Sequence, residues 1–149
     1  GWGLEADGKL GLSQVKKDAK NEGGRSTGEL QKEELKPDGK RLNQITNLGN
    51  ATAIFKGTEP NDNRVFIIFG HMDSRVTDIL NTKDDAPGAN DDASGVAAVL
   101  ECARILSRSN FPATIVFVAV SGEEQGLFGS TMLANRAVKE KWNVVAMLN

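Results

Sequence analysis

The sequence is short of the residues that build several common kinds of site. Its 149 residues include one cysteine, one histidine and no tyrosine. A single cysteine, Cys102, excludes an internal disulfide framework and any zinc site made from several cysteines, so we expect it to pack as a small apolar residue on a helix. No apolar run approaches the ~18 residues that suggest a membrane-spanning helix. The net charge of -2 provides no strong field to attract nucleic acid.

The length suits one domain of ordinary size. Glycine, lysine, aspartate and glutamate dominate residues 1–40, which predicts a lead-in segment, partly flexible, with a short helix at residues 28–35. The pattern becomes regular from residue 41 onward, so the predicted domain covers residues 41–149. Because the chain begins without methionine and ends in an apolar run typical of a buried strand, we expect both ends to be cut, with the domain truncated at the C-terminus.

Apolar patterning then predicts a hairpin, three buried strands and two helices. The hairpin consists of residues 42–47 and 51–57 around a turn at Gly49 and Asn50. The buried strands are residues 65–69, 114–120 and 144–148, and the amphipathic helices are residues 94–107 and 127–141.

The order strand-helix-strand-helix-strand indicates two crossover connections and a sheet covered on both faces. We therefore predict an α/β fold of three αβα layers, with a mixed, mostly parallel sheet. Asp92 or Ser94 is available as the N-cap of the first helix.

Polar residues that suit a metal follow the buried strands. They are His71, Asp73, Asp91, Asp92, Glu123 and Glu124. A lone histidine or a pair of glutamates is more often an ordinary surface feature, but here three clusters fall at strand ends or at a helix start. Chemistry collects at the carboxyl ends of parallel strands, and one imidazole with several carboxylates suits zinc.

A calcium-binding loop is the obvious alternative for the aspartate-rich segment before the first helix. If Asp84 opened such a loop, its third position would be Ala86 and its twelfth Gly95. An EF-hand needs a carboxylate or amide at the third position and a bidentate glutamate at the twelfth. We therefore reject this alternative.

Three segments together resemble the dinuclear-zinc aminopeptidases, a family that includes secreted bacterial leucine aminopeptidases, aminopeptidase Y and the glutamate carboxypeptidase relatives. The segments are GHMDS at residues 70–74, GANDDASG at residues 88–95 and GEEQGLFGS at residues 122–130. The resemblance covers residues 41–149, which it implies are the N-terminal part of the catalytic domain.

The resemblance implies a role for each matching residue. His71 would ligate one zinc ion, Asp91 would bridge two, and Glu124 would ligate the second. Glu123 would be the general base, and Asp73 would orient the His71 ring. The family takes a further aspartate and a further histidine from later positions, so each zinc ion would have two of its three protein ligands here, and we expect the isolated chain to be inactive.

The function that the resemblance implies is release of N-terminal amino acids from peptides by a two-zinc exopeptidase, secreted or periplasmic, with a cis peptide bond between Asp91 and Asp92. Two alternatives remain open. One is a single-zinc glutaminyl cyclase. The other is a non-catalytic module on the same fold. Neither the oligomeric state nor the preferred N-terminal residue follows from the sequence.

Overall fold

The structure, a computed structural model, describes residues 26–149. Within this range the elements are β1 (Ser26–Leu35), β2 (Thr46–Phe55), β3 (Arg64–His71), α1 (Ser94–Leu106), β4 (Thr114–Val120), α2 (Phe128–Lys139) and β5 (Asn143–Leu148). A single wide helical turn, Ala89–Ala93, leads into α1. The predicted helices at residues 94–107 and 127–141 and the predicted strands at residues 65–69 and 114–120 are confirmed, with small differences at their ends.

The described strands form one mixed sheet in the order β1-β2-β4-β3-β5. Strand β2 is antiparallel to β1 and β4, whereas β3 is parallel to β4 and β5. Four of these strands therefore point the same way and β2 is reversed, which confirms a mixed, mostly parallel sheet. Because β3 and β4 are parallel neighbours, their C-terminal ends meet at one edge, where His71 is paired with Val120.

The two helices cover opposite faces of this sheet. Leu133 of α2 packs in a buried cluster with Val116. Val99 of α1 packs with Phe117, and Cys102 lies against this second cluster as a free thiol. Since successive strand residues point to opposite faces, the two clusters form separate cores, and the predicted three-layer αβα arrangement and the packing of Cys102 are confirmed.

The predicted hairpin at residues 42–47 and 51–57 is wrong. Strand β1 pairs with β2 along its whole length, from Ser26 opposite Phe55 to Leu35 opposite Thr46. Residues 28–35 are therefore strand rather than helix, within the segment expected as a lead-in. The rest of that segment, residues 1–25, lies outside the described residues.

The error arises at Asn50, which lies inside β2 rather than in a turn. Its side chain is fully buried. It donates a hydrogen bond to the carbonyl of Gly129 at 2.7 Å and accepts one from the N–H of Ser121 at 3.1 Å. These contacts with the segment after β4 hold an asparagine within a strand, although glycine and asparagine together usually favour a turn.

Strand β5 also differs from prediction, because it is an exposed edge rather than a buried strand. Val145, Met147 and Leu148 are each about half exposed or more, at 47%, 52% and 62%. The strand pairs with β3 on one side, and it carries apolar side chains on a largely open surface. No helix within residues 26–149 is long and apolar enough to cross a membrane.

Candidate metal centre and catalytic residues

His71 ends β3 and is nearly buried at the edge where β3 and β4 finish. Its Nδ1 atom lies 3.0 Å from the backbone carbonyl oxygen of Asp73. Its Nε2 atom lies 2.9 Å from Oδ1 of Asp91 and 3.9 Å from Oε2 of Glu123. The imidazole is thus held between two acceptors, with a second carboxylate nearby.

A neutral imidazole has one N–H, so it can donate to one of these two acceptors. The other contact requires either a second proton or a metal ion. Burial lowers the pKa of His71, but the carbonyl of Asp73, the negative charges of Glu123 and Asp73 and the hydrogen bond to Asp91 outweigh burial and raise the pKa above its ordinary value. The site therefore favours the positively charged form of the His71 ring.

Asp91 reaches His71 from the turn before α1. The peptide bond between Asp91 and Asp92 is cis, as predicted. The side chain of Asp91 is 76% exposed, so its free oxygen faces solvent. The turn therefore brings a carboxylate to the imidazole from a segment 20 residues further along the chain.

Asp73 contacts the site through its backbone carbonyl and through its carboxylate. Its contact with the His71 ring differs from the one that the sequence suggested. Its backbone carbonyl, rather than its carboxylate, is the group at hydrogen-bond distance from the His71 ring; the carboxylate is 3.9 Å away. The carboxylate accepts hydrogen bonds from the backbone N–H groups of Glu123 at 3.2 Å and Glu124 at 3.1 Å. Asp73 therefore connects the end of β3 to the loop that carries both glutamates.

The two glutamates have different surroundings. Glu123 points toward His71, and its side chain is 36% exposed. Glu124 instead forms an ion pair with Arg75, whose Nε lies 2.9 Å from Oε2, and its side chain is 16% exposed. The structure therefore brings Glu123 to the imidazole with Asp91, while Glu124 faces a cation that sequence reasoning missed.

Two open clefts meet at these residues. One, of about 440 Å³, is lined by His71, Asp91 and Glu123 together with apolar Phe69 and Leu127. The other, of about 570 Å³, runs along the loop of the two glutamates. Glu123 lines both clefts, so a molecule extending from one to the other would pass its carboxylate.

Two donor atoms, Nε2 of His71 and Oδ1 of Asp91, fit one zinc ion. Ligands about 2.0–2.1 Å from a tetrahedral zinc lie roughly 3.3 Å from each other, close to the 2.9 Å between Nε2 of His71 and Oδ1 of Asp91. A zinc-bound histidine commonly donates its other N–H to a carbonyl or carboxylate, as Nδ1 can here. No group of three or more histidine, cysteine, aspartate or glutamate side chains is poised for a metal within residues 26–149, so a complete ligand set is not assembled there.

Asp92 is a second residue whose contacts exceed what the sequence indicated. Its Oδ1 accepts a hydrogen bond from the N–H of Gly95, in the first turn of α1, although the N-cap position itself is occupied by Ala93 rather than by Asp92 or Ser94. Its Oδ2 accepts another from the N–H of His71. Ser94, the alternative cap, donates its hydroxyl to the carbonyl of Asn90 instead.

The chain matches known proteins over the segment that contains these residues. The model of peptidase family M28 matches residues 50–149. A protein of Pyricularia oryzae named "Probable zinc metalloprotease" is 50% identical over 109 residues, which are 73% of this chain and 22% of that protein. The chain thus spans about a fifth of the length of this curated relative.

Solved structures agree on the fold. A zinc aminopeptidase from Bacillus subtilis is 30% identical and superposes with a TM-score of 0.58. The match covers 72% of this chain and 24% of the aminopeptidase chain. A glutaminyl cyclase from Fimbriiglobus ruber has a TM-score of 0.63 at 21% identity, and the match covers 95% of this chain and 52% of the cyclase chain. At this identity the likeness is evidence for a shared fold and for nothing further. With a family model that matches two thirds of its residues, and the predicted motifs gathered at one sheet edge, the chain belongs to peptidase family M28.

Proposed function

We propose that this protein is a zinc-dependent peptidase whose metal is held in part by His71 and Asp91. The observation that carries the proposal is the pair of acceptors around one imidazole, at Nδ1 and at Nε2. A neutral ring has a single N–H, which Nδ1 donates to the carbonyl of Asp73 and which fixes the orientation of the ring. A zinc ion between Nε2 and the carboxylate of Asp91 would then take the place of the second proton. The family match and the relatives named as zinc metalloproteases support the same metal.

In this proposal, bound zinc would polarise the scissile carbonyl and lower the pKa of a water molecule. Glu123 then serves as the general base: its carboxylate takes a proton from the attacking water and returns it to the leaving amine. Its position supports this role, because it lies near His71 and lines both clefts. The carboxylate of Asp73 keeps Glu123 in place by accepting a hydrogen bond from the backbone N–H of Glu123.

The finer form of the proposal is a two-zinc aminopeptidase that acts on the N-terminal residue of peptides. Asp91 would bridge the two ions and Glu124 would ligate the second. Support comes from the exposed second oxygen of Asp91 and from the likeness to a zinc aminopeptidase from Bacillus subtilis. In this form Glu124 must exchange its ion pair with Arg75 for the metal.

A glutaminyl cyclase with one zinc is the second candidate. The observation that favours it is the same ion pair, because Glu124 bound to Arg75 leaves one cluster of ligands around His71 rather than two. A cyclase would release ammonia from a peptide that begins with glutamine, whereas an aminopeptidase would release the amino acid.

The test uses the complete gene product with two peptides, one beginning with leucine and one with glutamine. We expect free leucine and free glutamine, and one or two equivalents of zinc by elemental analysis. Release of ammonia without free amino acid would establish the cyclase. Recovery of both peptides intact from a zinc-loaded protein would indicate a non-catalytic module.

The role of Glu123 is tested separately by Glu123→Gln. We expect this variant to retain its zinc and to lose several orders of magnitude in kcat. Glu59→Gln is the matched control, since Glu59 is exposed and lies just before the N-terminal end of β3, whereas His71 lies at the C-terminal end of that strand. Turnover near the wild-type rate in Glu123→Gln would contradict the assignment.

We also propose export from the cytoplasm, as in the secreted proteins that this chain resembles.

A further inference from the structure

Asp92 connects two parts of the candidate site through its carboxylate. Oδ2 accepts the N–H of His71 at 3.0 Å, at the end of β3. Oδ1 accepts the N–H of Gly95 at 2.9 Å, in the first turn of α1. One side chain thus joins the strand that carries the imidazole to the helix that follows Asp91.

The carboxylate occupies a slot that exists because two neighbouring residues lack a side chain. A Cβ atom on Gly70 would lie 2.9 Å from Oδ2 of Asp92 and 3.0 Å from the backbone of Gly95. A Cβ atom on Gly95 would overlap the carboxylate of Asp92 outright. The two glycines, which belong to different elements, therefore allow β3 and α1 to approach closely enough for one carboxylate to bond to both.

This arrangement bears directly on Asp91. The side chain of Asp91 is largely exposed, and its one recorded polar contact within the described residues is the His71 ring. The backbone that carries it belongs to a turn on the surface. An anchor on the next residue, bonded to the main chain of His71 itself, fixes the separation between the two groups that face the metal position.

We propose that Asp92 is a positioning residue for the metal centre, which it serves by holding the backbone of Asp91 against the end of β3. The inference rests on the proposed zinc site. A helix cap alone would need the bond to Gly95 and no more, whereas the second oxygen is bonded to the residue that supplies the imidazole. Partners that orient a metal's ligands typically contribute about 10–100-fold in metal affinity.

The experiment measures zinc affinity and stability separately in the complete gene product. In Asp92→Asn, one oxygen acceptor is replaced by an NH₂ group, so one of the two bonds is lost while the shape is kept. We expect the zinc dissociation constant, measured by competition with a chromophoric chelator, to rise about 10–100-fold in the folded protein. Asp85→Asn, on the same exposed loop, is the control and should leave zinc affinity unchanged.

Gly95→Ala provides an independent variant, because its methyl group occupies the position of the Asp92 carboxylate. We expect it to weaken zinc binding as Asp92→Asn does, and the double variant to lose little beyond either single one, since both remove the same connection. Unchanged zinc affinity in folded Asp92→Asn would overturn the proposal and leave Asp92 a helix cap.

A measurement on the wild-type protein keeps the proposal testable if the variants do not fold. The amide hydrogens of His71 and Gly95 should exchange with solvent as slowly as those in the central strands, because both are bonded to one partly buried carboxylate. Exchange at the rate of open loop amides would overturn the proposal. A wild-type protein that binds no zinc, with both amides protected, would refute the proposed function while the Asp92 connection remained.

Discussion

The imidazole of His71 and the carboxylate of Asp91 meet at 2.9 Å although 20 residues separate them in the chain. The segment between them is a long loop that returns to the sheet only at the turn before α1. Long ordered loops are more often functional than decorative. The proposed zinc site depends on this contact between His71 and Asp91.

The first prediction concerns the energetic coupling of these two residues. His71→Ala and Asp91→Asn should each weaken zinc binding strongly, and the double variant should lose much less than the sum of the two. The reason is that each residue is one ligand of the same ion, so that removing the first leaves the second with little to contribute. The measurement is a double-mutant cycle of zinc dissociation constants, and additive losses would contradict a shared ion.

The second prediction concerns Asp73, which accepts the backbone N–H groups of Glu123 and Glu124. Asp73→Asn keeps one acceptor oxygen and presents an NH₂ group to the other N–H. We expect kcat to fall about 10–100-fold because the glutamate loop shifts, the size of effect seen when groups supporting a metal site are changed. KM should change little.

The control for Asp73 is Asp84→Asn, because Asp84 is exposed on the following loop and its carboxylate accepts a hydrogen bond from nearby Asn81. That variant should keep wild-type kcat. An Asp73→Asn enzyme with full kcat would show that the loop does not need the carboxylate.

The third prediction concerns the stability that Asn50 provides. In Asn50→Ala, the N–H of Ser121 and the carbonyl of Gly129 lose their buried partner. The carbonyl of Gly129 keeps its helical partner within α2, but the N–H of Ser121 is left unsatisfied. One unsatisfied buried group costs about 1–3 kcal/mol, so we expect the free energy of unfolding to fall by about that amount. Urea denaturation provides the measurement. Asn47→Ala, at an exposed position of the same strand, should change the free energy by much less.

The fourth prediction concerns acid stability and Asp38, in the connection between β1 and β2. The backbone N–H groups of Leu42, Arg41 and Lys40 donate to its carboxylate and lower its pKa from 3.8 to about 2. Because the pKa is lower in the folded state, this stabilisation is present above pH ~4 and is lost as the pH falls through about 2. Asp38→Asn should remove that part of the pH dependence.

Nuclear magnetic resonance gives the direct measurement for Asp38. The side-chain carboxyl signal should titrate near pH 2 in the folded protein and close to the ordinary value in urea. A titration that is the same in both states would show that the three N–H donors do not hold the carboxylate in solution.

The sequence was most informative where burial on two faces leaves a continuous apolar run. Residues 65–69 and 114–120 carry such runs, and both are strands in the middle of the sheet. Strands β1 and β2 have fewer apolar residues because they lie toward one edge of the sheet. Their register depends on contacts such as those of Asn50 with Gly129, which lie 79 residues apart and leave no local signal.

The same distinction holds at the site. The positions of His71, Glu123 and Glu124 after parallel strands predicted that they would lie near one edge, since that follows from topology alone. The ion pair of Arg75 with Glu124 and the second bond of Asp92 were not predicted. The ion pair depends on the path of a loop, and the bond of Asp92 depends on the lack of a side chain at Gly70 and Gly95. Periodicity offers no guide to either.

The central claim is that one zinc ion lies between Nε2 of His71 and a carboxylate oxygen of Asp91. A crystal of the zinc-loaded protein, measured on both sides of the zinc absorption edge, tests it most directly. The account predicts an anomalous peak about 2.0–2.2 Å from both atoms, with Nδ1 still bonded to the carbonyl of Asp73. A zinc peak that has neither His71 nor Asp91 as a neighbour would contradict it.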